Sequence, residues 1–274
     1  MNKIRRIKSI TEFHQLRQLP KPQHPLISVV NVEDIRHAPD EEPENLVLDY
    51  YNISLKRHFS GKFRYGQQEY DFDEGVMFFI APGQVFRVEH DHSRPINQSG
   101  WMLLIHPDFL WNTPLAKSIR QREYFDYTVN EALFLSSKEE DTITGIIRTI
   151  QLEYDNNIDQ FSQDIIISQL DTLLNYAERF YHRQFLTRKI ANHQILDRME
   201  KILEDYFNNE DLTRKGLPSV QEIAGRLNIS PTYLSGMLKV LTGQSTQQHI
   251  HEKLIQKAKE KLSGSEASVS EIAY

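Results

Sequence analysis

One stretch of the chain, residues 231–243, carries polar side chains at helical spacing. Four positions three or four residues apart would share one face of a helix: Thr232, Ser235, Gly236 and Lys239. Hydroxyl groups and an ammonium group on such a face are suited to hydrogen bonds with base edges and phosphate oxygens. The other face would be apolar, with Leu234, Met237, Leu238 and Leu241. The first chemistry that the sequence offers is therefore recognition of nucleic acid.

A second candidate is a metal site. His90 and His92, on either side of Asp91, would place two imidazole rings on one face of a strand. No Glu follows at the distance that a His-x-His site needs, and the surrounding HDHSRP is typical of a turn. The other histidines of this part are scattered: His24, His37, His58 and His106. We therefore expect a solvated loop here, with no bound metal and no other cofactor.

Two short helices must position the polar face. Ser219 and Glu222 form a capping box at the start of the first helix, whose apolar stripe is Val220, Ile223, Ala224 and Leu227. Ser230 is a natural N-cap for the second helix, Pro231 fits its first position, and Gly243 ends it. Only residues 228–230 separate the two helices. This pattern predicts a helix-turn-helix motif, whose second helix enters the DNA major groove, although an ordinary helical hairpin has the same spacing.

An internal repeat favours the helix-turn-helix motif. The sequence SVSEIA at 268–273 nearly copies SVQEIA at 219–224 and carries a second capping box, from Ser268 to Glu271. A long helix capped by Ser245 and Gln248 lies between the copies, with the stripe Ile250, Leu254, Ile255, Ala258 and Leu262. The pattern therefore predicts one complete motif, a spacer helix and the first helix of a second motif.

These segments resemble the AraC/XylS family of transcriptional regulators. The matching segments, within residues 195–274, are EIA, SPTYLSGMLKVLTGQ, QKAKEKL and SVSEIAY. The sequence departs from the family at Thr246 and Leu254, where Pro and Arg are usual, and at Gly236, where a long polar residue is frequent. It also ends at Tyr274, before a second recognition helix, so either it is truncated or its DNA-binding unit is half of the family's.

The resemblance implies that Thr232, Ser235 and Gly236 read bases. The full set of expected DNA contacts is Ser219, Arg226, Thr232, Tyr233, Ser235, Gly236, Lys239 and Gln247. One recognition helix with small side chains makes few base contacts, each worth about 1–3 kcal/mol. We therefore expect weak and poorly specific binding to double-stranded DNA unless the protein dimerises.

Length and composition limit the class of protein to which this chain can belong. With 274 residues, 39% of them hydrophobic, the chain is long enough for two domains. The absence of Cys excludes disulfides and Cys-ligated zinc and fits the cytoplasm. The basic N-terminal segment has no apolar run of signal-peptide type, no run is long enough to span a membrane, and no catalytic constellation stands out. We therefore expect a cytoplasmic protein that is not an enzyme.

The charge distribution is a weak signal for DNA binding. The net charge is −6, but residues 188–274 carry 12 Lys and Arg against 11 Asp and Glu. Phosphate contacts must therefore come from a few placed cations and from helix N-termini. The candidate cations are Arg226, Lys239, Lys253 and Lys257.

The first hundred residues have the pattern of a β-sandwich or small barrel. Strand-length segments rich in Val, Ile, Phe and Tyr lie at 26–32, 46–55, 75–80, 85–89 and 100–105, separated by turn residues. The resemblance implies a cupin-like sensor barrel here, mainly from FFIAPGQVF at 78–86, with a small-molecule effector inside it.

Two helices are expected next, at 136–156 and 160–185. The second has one stripe of Ile166, Leu170, Leu173, Ala177 and Phe180, and a neighbouring stripe of Ile167, Leu174 and Tyr181. Two stripes exceed what one packing layer requires, so we expect a homodimer with Ile167, Leu170, Leu173 and Leu174 at the interface. The alternative is that both stripes are buried within one chain.

The sequence therefore predicts an α+β protein in three parts. A cupin-like sensor domain spans residues 1–135, a dimerising helical hairpin 136–187, and an all-α helix-turn-helix domain with an incomplete second motif 188–274. The expected function is sequence-specific transcription regulation, with the sensor controlling promoter binding. The second possible function is a cupin-like ligand- or protein-binding dimer whose C-terminus no longer binds DNA specifically. The third is a metal-dependent cupin enzyme.

Overall fold

The computed structural model describes residues 4–36, 44–57, 64–65, 68–69, 75–88, 99–127, 131–156, 159, 161–187, 189–209 and 215–264. The chain forms two compact units, Met1–Tyr181 and His182–Tyr274, here the N-terminal and C-terminal units. The histidine pair at 90 and 92 and the second SVSEIA copy lie outside the described residues. No helix in the described part is long and apolar enough to cross a membrane.

The N-terminal unit is built on two main sheets. Its strands are β1 (Ile4–Ile7), β2 (Ile27–Asn31), β3 (Glu44–Leu48), β4 (Tyr51–Arg57), β5 (Arg64–Tyr65), β6 (Gln68–Glu69), β7 (Val76–Ile80), β8 (Val85–Val88), β9 (Ser99–Ile105) and β10 (Leu133–Phe134). One sheet has the order β10-β7-β4-β9-β2 and the other has the order β1-β3-β8, while β5 and β6 pair separately. Sheets and helices in one chain agree with the expected mixed class.

The strand predicted at 46–55 is in fact two strands in different sheets. β3 ends at Leu48 and β4 begins at Tyr51, and the backbone N–H of Asp49 donates to the Ile7 carbonyl, 3.1 Å away. The first strand, β1, which the sequence pattern did not reveal, pairs in parallel with β3. The chain therefore changes sheets at Asp49 and Tyr50.

The central strand β4 has two different faces. Ile53 and Leu55 are fully buried on one face, where Phe79, the partner of Ile53, packs 4.7 Å from the Tyr124 ring. On the other face Asn52 and Ser54 pair with residues 104 and 102 of β9. That face looks toward the three-stranded sheet, because Met102 and Leu104 share a core cluster with Ile7, Leu46 and Leu48.

Four helices accompany the sheets among the described residues of this unit: α1 (Ile10–Leu16), α2 (Leu115–Ser118), α3 (Ser137–Asp155) and α4 (Ser162–Thr187, which extends past Tyr181). The bounds of α3 and α4 agree closely with the predicted 136–156 and 160–185. The expected start of α3 is confirmed, since Ser136 and Glu139 form a capping box. Helix α1 is capped by the Ser9 side chain, which accepts from the Glu12 N–H at 3.1 Å.

Helix α4 buries its predicted interface residues within one chain. Leu170, Leu173 and Leu174 have no exposed surface, and the Tyr124 hydroxyl donates to the Leu174 carbonyl at 3.0 Å. A side chain without exposed area has no surface to offer a second copy. This burial corrects the predicted dimer interface, because these three leucines are core residues; Ile167 keeps partial exposure.

The C-terminal unit is helical throughout its described elements. These are α5 (Lys189–Asn209), α6 (Val220–Leu227), α7 (Pro231–Thr242) and α8 (Thr246–Gly264). Helix α5 buries Met199, Leu203 and Tyr206. The shared core is completed by most of the predicted stripes of the next two helices: Ile223, Ala224, Leu227, Leu234, Met237 and Leu238. Val220 and Leu241, the remaining members of these stripes, are partly exposed.

We expect Leu170→Glu to unfold the N-terminal unit rather than to yield a folded monomer. The substitution loses a buried leucine and places a carboxylate in the core, a cost of at least about 3 kcal/mol. Ile165→Glu is the control, because Ile165 lies on the same helix with 42% exposure and should change stability by less than about 0.5 kcal/mol. Urea unfolding followed by circular dichroism measures both. A folded Leu170→Glu protein of half the native mass would return Leu170 to a dimer interface.

Candidate nucleic-acid interface

The start of α6 is fixed by a reciprocal cap. The Ser219 Oγ accepts from the Glu222 N–H at 3.1 Å, and the Ser219 N–H donates to Glu222 Oε2 at 2.9 Å. These hydrogen bonds to the carboxylate lower the pKa of Glu222, first through the Ser219 backbone. The cap therefore specifies at which residue the helix begins.

The turn between α6 and α7 has a left-handed residue at its centre. Asn228 adopts φ 58° and ψ 40°, a region that Asn tolerates better than most residues. Its N–H donates back to the Ala224 and Gly225 carbonyls, and the Ile229 N–H donates to Ala224 at 3.1 Å. The chain thus leaves α6 and reaches the cap of α7 in three residues, as predicted.

Local signals also determine both ends of α7. The Ser230 Oγ accepts from the Tyr233 N–H at 3.1 Å, and Pro231 occupies the first turn. At the other end Gly243 is left-handed, with φ 77°, and its N–H donates to the Lys239 carbonyl at 3.1 Å. The helix bounds agree with the predicted ones.

Tyr233 lies in the core and not on the outer face of α7. It has no exposed surface, and its ring packs edge-on against the Phe185 ring with 5.0 Å between centroids. Burial also raises the pKa of Tyr233. This corrects the prediction that Tyr233 contacts DNA: the residue anchors the helix that would make the contacts.

The outer face of α7 carries the predicted polar set. Lys239 is exposed, while Thr232, Ser235 and Gly236 are partly exposed. The Ser235 Oγ lies 3.1 Å from Oγ1 of Thr246, the buried first residue of α8. Ser235 therefore ties α7 to α8 as well as facing outward, and Thr246 fills the position where a Pro was expected from the resemblance.

The four cations predicted to contact phosphate divide into two groups. Arg226 is exposed on α6, with its guanidinium carbon 5.8 Å from the centre of the Tyr206 ring. Lys253 and Lys257 of α8 instead lie beside Glu204 of α5, with N–O distances of 3.6 and 3.8 Å. Their charges are partly balanced by this pairing, and their role as phosphate contacts stays a prediction. Of the four, Arg226 and Lys239 are the ones with exposed side chains.

Ser219 and Gln247 also reach the surface of the unit. Both are exposed, and they stand at the starts of α6 and α8, where backbone N–H groups favour an anion. The sequence pattern did not reveal two contacts that support these residues: the Tyr206 ring against Arg226, and the Thr246 hydroxyl beside Ser235. No local signal announces them, because each contact joins residues of different helices.

Within the described residues no group of three or more His, Cys, Asp or Glu side chains is arranged to hold a metal ion. His24 and His106 belong to this part of the chain. Burial lowers the pKa of His24, and the His106 Nδ1 accepts from the Asp108 N–H at 3.3 Å. His24 is therefore held by burial, and His106 by a hydrogen bond to its own turn.

Comparison with known proteins concerns the N-terminal half of the chain. Residues 37–168 match a family model described as an AraC-like ligand binding domain. The chain therefore carries a domain of this ligand-binding type, for which a cupin-like fold is implied. No curated protein matches the chain. The family match ends within α4, so the features of the helix pair α6–α7 stand on their own geometry.

We expect Lys239→Ala to weaken binding to all duplexes alike. Loss of one phosphate contact should reduce the slope of log affinity against log salt by about one. Lys201→Ala is the matched control, since Lys201 is an exposed lysine on α5. Fluorescence anisotropy with several unrelated duplexes over a salt series makes the measurement. A change of sequence preference with unchanged affinity would show that α7 is oriented differently.

We expect Tyr233→Ala to destabilise the C-terminal unit by about 3–5 kcal/mol, because it empties a buried aromatic site. Thr232→Ala, at the neighbouring and partly exposed position, should leave stability within about 1 kcal/mol. Thermal unfolding of the two variants gives the comparison. Native stability of Tyr233→Ala combined with altered DNA preference would place Tyr233 on the DNA-reading face after all.

Proposed function

We propose that this protein is a sequence-specific, DNA-binding transcription regulator. In this proposal the N-terminal unit senses a small molecule, and the C-terminal unit inserts α7 into the DNA major groove. The sensor's state biases whether two copies of α7 meet one promoter in the correct arrangement, which is an allosteric mechanism.

The observation that carries the proposal is the outer face of α7. A helix held by an N-cap, a C-cap and a buried tyrosine presents Thr232, Gly236 and Lys239 outward. Rigid support with an exposed polar row is what base readout requires. The ligand-binding domain at 37–168 supports the sensing half of the proposal.

Among the predicted phosphate contacts only two cations are exposed, which is few for tight binding by one copy. Arg226 and Lys239 contribute two phosphate contacts, and the small reading side chains contribute few base contacts. The proposal therefore includes a homodimer, because association doubles both sets of contacts. Its interface lies outside the buried leucines of α4, and of the predicted residues Ile167 alone retains partial exposure.

The second candidate is a cupin-like ligand- or protein-binding dimer that does not bind DNA specifically. The two readings differ in what the outer face of α7 does. A regulator needs this face for sequence preference, whereas in the second candidate it is an ordinary solvated surface.

Selection of bound duplexes from a random-sequence pool tests the proposal. The full chain should enrich a short motif present twice, since two copies of α7 must engage. Thr232→Ala should relax the preference at one base pair of each half. Thr172→Ala is the control, because Thr172 is an exposed threonine on α4. A pool without any enriched motif would reject the proposal and favour the second candidate.

A further inference from the structure

The hydroxyl of Ser235 on α7 is held by a buried residue of the next helix. The Ser235 Oγ lies 3.1 Å from Oγ1 of Thr246, the first residue of α8. Thr246 is only 1% exposed, whereas Ser235 keeps partial exposure one turn after Thr232. The contact therefore joins a hydroxyl that is excluded from solvent to one on the proposed DNA-reading face.

The start of α8 does not use the Thr246 hydroxyl. Ser245 caps this helix, because its Oγ accepts from the Gln248 N–H at 3.3 Å and its own N–H donates to Gln248 Oε1 at 2.7 Å. Within the described part of the chain, the Thr246 hydroxyl has Ser235 as its only hydrogen-bond partner. The buried hydroxyl therefore acts on the Ser235 side chain and not on the helix cap.

Burial determines which of the two hydroxyls donates. A buried O–H group without an acceptor destabilises the folded state more than an unused lone pair does. Because the Thr246 O–H finds its acceptor at Ser235, Thr246 donates and the Ser235 Oγ accepts. The Ser235 hydrogen then has no acceptor among the described residues, unlike that of Thr242, which donates to the Leu238 carbonyl at 2.9 Å. Ser235 therefore offers a hydrogen-bond donor on the outer face of α7.

Gly236 lets DNA come close to this short side chain. The serine hydroxyl stands one carbon from the backbone, so it reaches a base edge only where the helix itself approaches the groove floor. Gly236 follows Ser235 on the outer face, is partly exposed, and has no Cβ to hold the DNA away. The outer face is therefore shaped for direct contact between Ser235 and a base.

We propose that Thr246 is a positioning residue that makes Ser235 a hydrogen-bond donor to a base. The acceptor is a purine N7, a guanine O6 or a thymine O4 in the major groove. A cytosine at that place presents an amino group, which leaves the Ser235 hydrogen without an acceptor and is therefore disfavoured. This inference rests on the proposed function and names what one position of α7 recognises.

The direction of the hydrogen bond is tested in the full chain without DNA. Threonine and serine are isotopically labelled at Cβ, and carbon spectra are recorded in an equal mixture of H2O and D2O. A hydroxyl whose proton exchanges slowly gives two Cβ signals, one for O–H and one for O–D. We expect two signals for Thr246 and one for Ser235, because only the Thr246 proton is both buried and bonded. A single signal for Thr246, or two for Ser235, would overturn the proposal.

The recognition step is tested on the duplex motif that the full chain selects. Each base pair is varied in turn, affinities are measured by fluorescence anisotropy, and Ser235→Ala identifies the position that Ser235 reads. Thr246→Val keeps the shape of the side chain but removes its hydroxyl, so Ser235 can turn and accept from an amino group. The preference at that position should fall by about two- to ten-fold. Thr246→Ser restores the hydroxyl and should retain the preference.

Thr242→Val is the matched control, because it removes another hydroxyl that joins α7 to α8. The Thr242 Oγ1 lies 3.0 Å from His249 Nε2. Loosening of the two helices alone would give the same effect in both valine variants, whereas we expect Thr242→Val to keep the preference at the Ser235 position. Circular dichroism checks that each variant is folded, and Thr246→Ala replaces Thr246→Val if the valine variant does not fold.

Four outcomes with a selected motif would overturn the proposal. These are full preference in Thr246→Val, an equal loss in Thr242→Val, a preference for cytosine at the Ser235 position, and a motif in which no position depends on Ser235. The proposed function would then stand, since the motif itself is selected. A pool without an enriched motif would instead reject the proposed function, and the recognition step with it.

Discussion

The C-terminal unit depends on the geometry of the turn at Asn228. Because this residue takes a left-handed conformation, the chain closes α6 against its own carbonyls and reaches the Ser230 cap directly afterwards. That turn sets the direction of α7, and the buried Tyr233 sets its rotation about its axis. Because both the direction and the rotation of α7 are fixed, its polar face has a single orientation within the unit. A recognition helix needs such a constraint, since base contacts tolerate little displacement.

In the N-terminal unit the corresponding constraint is the alternation along β4. On its apolar side Tyr51 packs edge-on against Phe125, and Phe79 of the neighbouring strand packs against Tyr124 and Phe125. Its polar face looks toward the three-stranded sheet. The unit therefore combines an apolar core on one face of β4 with buried polar side chains, Asn52 and Ser54, on the opposite face of the same strand.

Capping residues and apolar spacing made the helix pair α6–α7 predictable from the sequence. Other predictions were wrong because they depended on contacts between residues far apart in the sequence. Caps such as Ser219 with Glu222 act within four residues, so both helices were placed correctly. Tyr233 is buried against Phe185, which is far away in the sequence. The polar residues next to Tyr233 in the sequence had instead suggested that it is exposed and contacts DNA. Alternation along β4 would ordinarily indicate a solvated face, and only the second sheet shows that Asn52 is buried. Likewise two stripes on α4 suggested a partner chain, although one chain buries both Leu170 and Leu174.

The central claim is that α7 reads the major groove, and interference by guanine methylation tests it most directly. Methyl groups at N7 project into the major groove, where they block an inserted helix. Duplexes retained by the full chain should be depleted of N7-methylated guanines at a cluster of positions in each half-site, one helical turn apart. Binding that is unaffected by N7 methylation at every guanine, but still weakens with salt as phosphate contacts require, would contradict this claim. It would show that α7 lies outside the groove.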